Sequence, residues 1–451
     1  MMNVLRARVA TTAAVAAGLA LTMAACAPGG GGSKTDDEPS AVSTDVAGAG
    51  KVTLKLTDFW GSAEGKWIDK AVADFEKKYP NVTIKRTTED WGQLNSTLNL
   101  QLQDDDGPDI ATANNGWQSL GTLAKGGLVL NLDPYAKAYG WNSSVPTTIA
   151  RQNKFTTDFK TMGSGSWFST PMARTSLIGL YYNADKLKKL GIDPPKTLDE
   201  LEADAAKAKA AGEIPFEYGS LDGSTSVLLG LQAVLADKDK LNDYIYDDPS
   251  VKASDVAMTD AVTTVKKWAD AGWFPKDFAG IDYQTAVANF VGGQGVFRWE
   301  YTGSLGLDAK QQGHFGYVQL PQADGKTVGV GAAPGAMVVS AKSKHPDVAA
   351  AFLDYLMSPA VGQTAVDLGL VPALSPDVTV PASSLSLTGE SAAAKSLDAD
   401  DGYVPYFDWS SPTMLDTLGQ NLQLVFAGKM TADKFTTAVD ADRDAFLSGQ
   451  S

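Results

Sequence analysis

Residues 52–60 read Val52-Thr-Leu-Lys-Leu-Thr-Asp-Phe-Trp60 and are followed by Glu64 to Tyr79, Pro80, and Asn81-Val-Thr-Ile-Lys85. Val52, Leu54 and Leu56 alternate with polar residues, which is the period of a strand with one covered face. In the next stretch Trp67, Ala71, Val72 and Phe75 return at helical spacing, so one face of a helix is apolar. Pro80 stops that helix, and Val82 and Ile84 restart the strand period. Leu94 to Leu102 repeats the helical pattern, and Gly107-Pro-Asp-Ile110 turns the chain into another strand. Strand–helix–strand alternation at this spacing predicts an α/β fold with parallel strands.

The pattern continues beyond Pro171. Leu177-Ile-Gly-Leu-Tyr-Tyr182 is an almost unbroken apolar strand. Thr197 and Glu200 have capping-box spacing at a helix start, and Gly212 suits its end. Ala261 to Gly272, Asp416 to Ala427 and Ala432 to Phe446 read as amphipathic helices, and Pro346 suits the first turn of another. About 400 folded residues exceed one hydrophobic core, so two lobes are expected.

The N-terminus is of a different kind. Arg6 and Arg8 precede an apolar run from Val9 to Leu21, and Ala-Leu-Thr-Met-Ala-Ala-Cys closes it at residues 20–26. This is the layout of a secretory signal. The cysteine at the cleavage point resembles a bacterial lipobox, with Met23 where that pattern favours Leu. The resemblance implies that residues 1–25 are removed and that Cys26 is lipidated. Residues 27–50 are rich in Gly, Ser, Asp and Ala and read as a tether reaching about 25–30 Å. No later stretch has the roughly 18 apolar residues of a membrane span. Cys26 is the single cysteine, so no disulfide holds the fold. The formal charge of −15 argues against nucleic-acid partners and anionic lipid headgroups.

The ordered motifs resemble the extracellular solute-binding proteins of ATP-driven sugar importers, the maltose-binding-protein-like group. They are Phe75-Glu-Lys-Lys-Tyr-Pro-Asn-Val82, Gly107-Pro-Asp-Ile110, Leu123-Ala-Lys-Gly-Gly-Leu128 and Leu180-Tyr-Tyr-Asn-Ala-Asp185. Asp193-Pro-Pro-Lys-Thr-Leu-Asp-Glu200, Phe290-Val-Gly-Gly-Gln-Gly-Val296, Ser343 to Phe352 and Gly369-Leu-Val-Pro372 follow. The resemblance implies an α/β, two-lobe, type II periplasmic-binding-protein-like fold, with mixed sheets flanked by helices and three interlobe crossovers. It divides the chain into lobe one, 51–172 plus 319–341, and lobe two, 173–318 plus 342–451. Hinges then fall near Met172–Ser176, Tyr317–Leu320 and Ser340–Ser343. It further implies a monomer on the outer face of the membrane, held by its lipid alone. By closing its lobes it would capture a saccharide, an oligosaccharide for preference, and deliver it to the permease subunits of an ABC transporter.

Catalysis finds little support in the residues. His314 and His345 are the only histidines, and no nucleophile–base arrangement or zinc ligand set can be assembled around them. Asp104-Asp-Asp106 and Asp398-Ala-Asp400-Asp401 lack the spacing of a calcium loop, and Asp440, Asp442 and Asp444 alternate along a helix. All three groups read as solvated acids. No metal or cofactor is expected. A carboxylate pair for glycoside hydrolysis stays open as the alternative, a secreted carbohydrate-active enzyme. A binder of a non-sugar solute on the same fold is another.

Sugar recognition needs aromatic platforms beside polar partners, and such groups stand at predicted strand ends. The candidates are Asp58 and Trp60, Trp91, and Asn114, Asn115 and Trp117. In the second half they are Trp299, Glu300 and Tyr301, then Tyr406, Asp408 and Trp409. Arg174 lies at the first crossover, where the resemblance implies a polar ligand contact. Phe59, Trp67, Trp141, Trp268 and Trp273 suit core packing, while Trp60 and Trp91 suit either role. Family members often carry Gly-x-Trp after the strand that holds Arg298. Gly303-Ser-Leu stands there instead, which points to Trp299 or Tyr301 as the stacking platform.

Overall fold

The structure, a computed structural model, describes residues 42–172, 176–332, 335–372 and 378–450. Its strands are β1 (Val52–Asp58), β2 (Val82–Thr88), β3 (Ile110–Ala113), β4 (Lys154–Phe155), β5 (Ser166–Trp167) and β6 (Ser176–Asn183). Then come β7 (Phe297–Tyr301), β8 (Phe315–Val318), β9 (Gly329–Ala332), β10 (Ala336–Val339) and β11 (Tyr403–Val404). They form two main sheets and the small β4–β5 hairpin.

The first sheet has the order β10-β3-β1-β2. β1 runs parallel to β2, from Val52 opposite Val82 to Asp58 opposite Thr88, and parallel to β3. β10 returns antiparallel to β3. Val52, Leu54 and Leu56 are buried, as their alternation requires, and helix Ser62–Lys78 brings Trp67, Ala71 and Phe75 into the same core. Trp67 donates its Nε1–H to the Val361 carbonyl at 3.0 Å, and Phe75 meets Phe352 at 5.2 Å between ring centres. Helices Pro346–Leu356 and Pro359–Asp367 therefore pack on this sheet, although the sequence reading assigns 342–451 to the other lobe.

The second sheet has the order β11-β9-β6-β7, with β8 also on β6. β6 pairs antiparallel with β7, β8 and β9, and β11 pairs parallel with β9. β6 is buried along most of its length because neighbours cover both of its faces. The backbone of Gly389, in helix Leu385–Asp400, approaches so closely that a Cβ would stand 2.1 Å from the Tyr317 carbonyl oxygen of β8. β9 belongs here, past the hinge expected near Tyr317–Leu320. The chain leaves the first sheet after Ala113, forms the β4–β5 hairpin, enters the second sheet at Ser176 and returns to the first between Ala332 and Ala336; it packs on the first sheet through helix Pro359–Asp367 and on the second from helix Leu385–Asp400.

Local signals act as the sequence implies at several points. Thr197 caps helix Leu198–Ala210 by accepting from the Glu200 N–H, and Gly212 follows it at φ 83°. Two readings are corrected. Residues 42–50, expected as tether, dock on the body: Val46 is buried, and Asn81 Nδ2 donates to the carbonyls of Val46 and Gly50, each at 2.8 Å. The alternating acids near the C-terminus are not simply solvated. Asp440 accepts from the Ala253 N–H, Asp442 accepts from the hydroxyls of Ser411, Thr413 and Thr417, and Asp444 pairs with Lys252. Each acid meets a different neighbour, so they fasten helix Ala432–Gln450 rather than converge. No helix among the described residues is long and apolar enough to cross a membrane.

Candidate functional site

The loop leaving β3, Asn114-Asn115-Gly116-Trp117, is the point where segments distant in sequence meet. Asn115 is fully buried. Its Nδ2 donates to the Gln152 carbonyl and its Oδ1 accepts from the Gly335 N–H, both at 3.0 Å. Gly116 has φ 69°, and a Cβ there would stand 2.2 Å from Cβ of Trp409. Only glycine meets both demands, and the Trp117 N–H then donates to the Trp409 carbonyl at 3.0 Å. Asn114 donates to Gln118.

The first aromatic arm grows from the end of β1. Asp58 is buried and accepts two bonds from Arg86, Nε at 2.6 Å and Nη2 at 2.7 Å, while its Oδ1 also accepts from the Trp60 N–H. Arg86 donates to the Trp60 carbonyl as well. Asp58 is thus spent on placing Trp60. The Trp60 ring lies against Gly335, where a Cβ would come within 2.6 Å of Cζ2. Its indole N–H is buried without a partner among the described residues. Phe59 lies 4.5 Å from Trp60 and 4.6 Å from Trp91, centre to centre. Trp91 is half-buried at the start of a helix capped by Asp90.

The second arm follows β11. The Tyr406 hydroxyl donates to the Ser176 carbonyl at 2.5 Å. Its ring meets Tyr301 edge-on at 5.8 Å and Trp409 at 5.2 Å. Phe407 stacks on Tyr244 at 4.7 Å and anchors the turn Phe407–Ser410. Trp409 is fully buried and its indole N–H also lacks a partner among the described residues. Asp408, which precedes Trp409 in the same turn, is 7% exposed. Burial pushes its carboxyl up to about 7, opposed by its own backbone N–H. Trp60 touches Gly335, Gly335 bonds Asn115, and Gly116 lies beneath Trp409, so the two arms meet at one loop.

β7 places its residues differently from the sequence reading, which relies on the strand end turning so that Trp299 and Glu300 reach a ligand. Pairing with β6 persists through Tyr301 opposite Ile178, so the alternation is not relaxed there. Trp299 is 3% exposed, its ring seated on Gly230 of helix Ser226–Leu235, where a Cβ would lie 2.3 Å from Cε3. Glu300 is buried and fully engaged. It accepts from Arg298 Nε at 2.8 Å and Nη2 at 2.6 Å, from the Tyr283 hydroxyl at 2.9 Å and from the Tyr301 N–H at 2.8 Å. Arg174 and Cys26 lie outside the described residues.

The structure also brings forward residues that the sequence reading passes over. Asp247 accepts from Trp117 Nε1 at 2.9 Å and from the Met162 N–H at 2.9 Å. The Arg151 guanidinium sits 4.0 Å from the centre of the Tyr246 ring. Arg86 and Gly335 belong here too. The repeated acid of Tyr246-Asp247-Asp248-Pro249 was the available signal for Asp247, and nothing local marks Arg86.

A family model described as bacterial extracellular solute-binding protein matches residues 60–363. The chain belongs to that family. Among curated relatives, a multiple sugar-binding protein of Streptococcus mutans is 27% identical over 301 residues, which is 64% of this chain and 67% of the relative. A probable sugar-binding periplasmic protein of Mesorhizobium japonicum is 28% identical over 179 residues, 38% of this chain and only 39% of the relative. Among solved structures, a chitin oligosaccharide binding protein superposes with TM-score 0.74 at 20% identity, covering 88% of this chain and 100% of its own. The GacH receptor of Streptomyces glaucescens, solved unliganded and with acarbose, gives 0.70 at 19% identity, with 88% and 99% covered. At that identity the likeness concerns the fold. This solute-binding protein has the two-lobe, type II periplasmic-binding-protein-like architecture, α/β with mixed sheets flanked by helices.

Proposed function

We propose that this protein captures a saccharide by closing its two lobes and hands it to the permease of an ABC transporter, without covalent chemistry. The observation that carries the reading is the pair of aromatic arms, Trp60 and Trp409. Each holds a buried indole N–H with no partner among the described residues, as Trp299 does in the core, and what sets the two arms apart is that both meet at the loop Asn114–Trp117. Flat sugar faces suit such rings, and sugar hydroxyls accept from such donors. The relatives and neighbours whose names refer to sugars support the ligand class.

In this reading lobe one comprises about 42–172 and 335–372, and lobe two about 176–332 and 378–450, following sheet membership and helix packing. Trp60, Trp91 and Asn114 line one side, and Tyr301, Tyr406, Asp408 and Trp409 the other. Asp58, Asn115, Trp117 and Glu300 hold the site in shape. Arg174 keeps its proposed place at the first crossover. A lipid on Cys26 would anchor a monomer at the outer face of the cell membrane.

A thermal-shift screen over mono- and oligosaccharides tests this directly. A true ligand at about 100 times its dissociation constant adds about 2.7 kcal/mol. It should also compact the particle in small-angle scattering and be recovered chemically intact. A saccharide that binds and is cleaved would move the protein into the carbohydrate-active enzymes. A tight saccharide that leaves the scattering profile unchanged would remove closure.

A further inference from the structure

We propose that the ligand carries a positive charge, an amino group on a sugar ring, and that Asp408 receives it; this rests on the saccharide-binding reading above. The buried carboxylates around the site differ in what offsets their charge. Asp58 is neutralised by a bidentate Arg86. Glu300 is neutralised by Arg298 and takes two further donors. Asp247 accepts two N–H groups. Asp408 is buried too, though at 7% exposed less completely than Asp58 and Glu300, and among the described residues no Lys or Arg pairs with it and no side chain donates to it.

A buried carboxylate without a counter-ion is costly, and a fold rarely retains one with nothing to gain. Its surroundings suit a cation. Tyr406 and Trp409 flank it in the chain with their rings 5.2 Å apart, and Tyr301 packs edge-on against Tyr406 at 5.8 Å. Aromatic faces attract ammonium groups, most strongly where water is excluded. The elevated carboxyl follows from the same missing partner: burial is the first cause and no cation opposes it. An ammonium placed there would draw the group back to its ionised form. The net formal charge of −15 favours approach of a cationic ligand from outside. A neutral sugar would offer Asp408 only hydroxyl donors, and a hydrogen bond to a charged partner is the stronger one.

The test measures binding of matched triples by titration calorimetry at pH 7. Glucosamine, glucose and N-acetylglucosamine form one, the galactose and mannose series two more, and β-1,4-linked tetrasaccharides of the three glucose-type units a fourth. In the triple that binds, the amine-bearing member should be at least about tenfold tighter than both neutral ones. In Asp408→Asn the ratio between the amine-bearing and the neutral members should fall to about one, whatever change the substitution makes to the affinity of the neutral members. The same variant, without ligand, should melt higher than the parent at pH 8, because an uncompensated buried charge has gone; this reading does not depend on any sugar. Equal affinities within a triple, or an amine preference that survives in Asp408→Asn, would overturn the inference and leave saccharide binding standing. Absence of binding by every member, and by the wider panel, would instead remove the saccharide reading and this inference with it.

Discussion

Trp117 Nε1 donates to the carboxylate of Asp247 at 2.9 Å, joining the loop after β3 to a residue 130 positions later. The Met162 N–H donates to the same carboxylate, and Trp117 also packs against Phe446 at 5.1 Å. The contact ties a segment next to the first sheet to one that belongs with the second. Burial pushes the Asp247 carboxyl up to about 6 from its ordinary 3.8, against the two donors and nearby Arg443, which pull it down.

The sign of the pH effect follows. Between about pH 4 and 6 the folded protein holds a proton on Asp247 that the unfolded chain has released, so stability falls as pH rises through that window. Above it the full cost is present, on the order of 2–3 kcal/mol. Asp247→Asn removes the titration and keeps an acceptor oxygen. Its melting temperature should vary less than the parent's between pH 4 and 6, and at pH 7.5 it should equal or exceed the parent. Asp247→Ala, which strands both donors, should lose about 1–3 kcal/mol for each N–H left buried. Denaturant melts at several pH values decide the matter; parallel pH profiles for parent and Asn variant would refute the assignment.

Trp299 sits on Gly230 in the core of the second sheet, so its removal should act on folding. Trp299→Ala should cost about 3–5 kcal/mol of stability. Gly230→Ala, which drives a methyl into the Trp299 ring, should cost about 1–3 kcal/mol. Saccharide affinity of the folded fraction should hold in both. A Trp299→Ala variant that melts like the parent but binds a hundredfold more weakly would restore Trp299 to the ligand.

What the sequence disclosed, and what it withheld, divides by range. The alternation of Val52, Leu54 and Leu56, the cap at Thr197 and Pro346 at a first helical turn are local signals, and the structure uses each one. The Arg86–Asp58 pair spans 28 positions, Trp117–Asp247 spans 130 and Tyr406–Ser176 spans 230. No local pattern carries such pairings. Trp299 and Trp409 look alike in the sequence, each beside a carboxylate. Which of them meets a helix and which meets the β3 loop depends on what covers each face, and that is decided by Gly230 and Gly116, far away along the chain. Residues 42–50 have a tether's composition, and one buried valine with two bonds from Asn81 suffices to dock them.

The proposed lipidation would be separable from folding in this chain. Cys26 is the single cysteine, so its loss breaks no disulfide. Cys26→Ala should move the protein from the membrane fraction to the soluble one, with an unchanged melting temperature for the released body. Continued partition of the variant into the detergent phase would remove Cys26 as the anchor.

Among the described residues three buried indoles lack a partner, Trp60, Trp299 and Trp409, and the two on the arms allow the most direct test of the site. Phenylalanine keeps an aromatic ring and deletes only the N–H and part of the second ring. At Trp60 and Trp409 that N–H makes no bond among the described residues, so its loss should cost the apo fold only packing, under about 1.5 kcal/mol. A ligand hydroxyl that accepts from it would be missed at about 0.5–1.5 kcal/mol, roughly two- to twelvefold in affinity. Trp117→Phe is the contrasting control, because its N–H is already committed to Asp247. That variant should lose about 1–3 kcal/mol of stability and bind saccharide as the parent does. Calorimetry with the tightest saccharide from the screen, set beside denaturant melts, separates the two patterns. If Trp60→Phe and Trp409→Phe both bind with parental affinity, the buried N–H groups are features of the core and the aromatic arms do not hold the ligand by them.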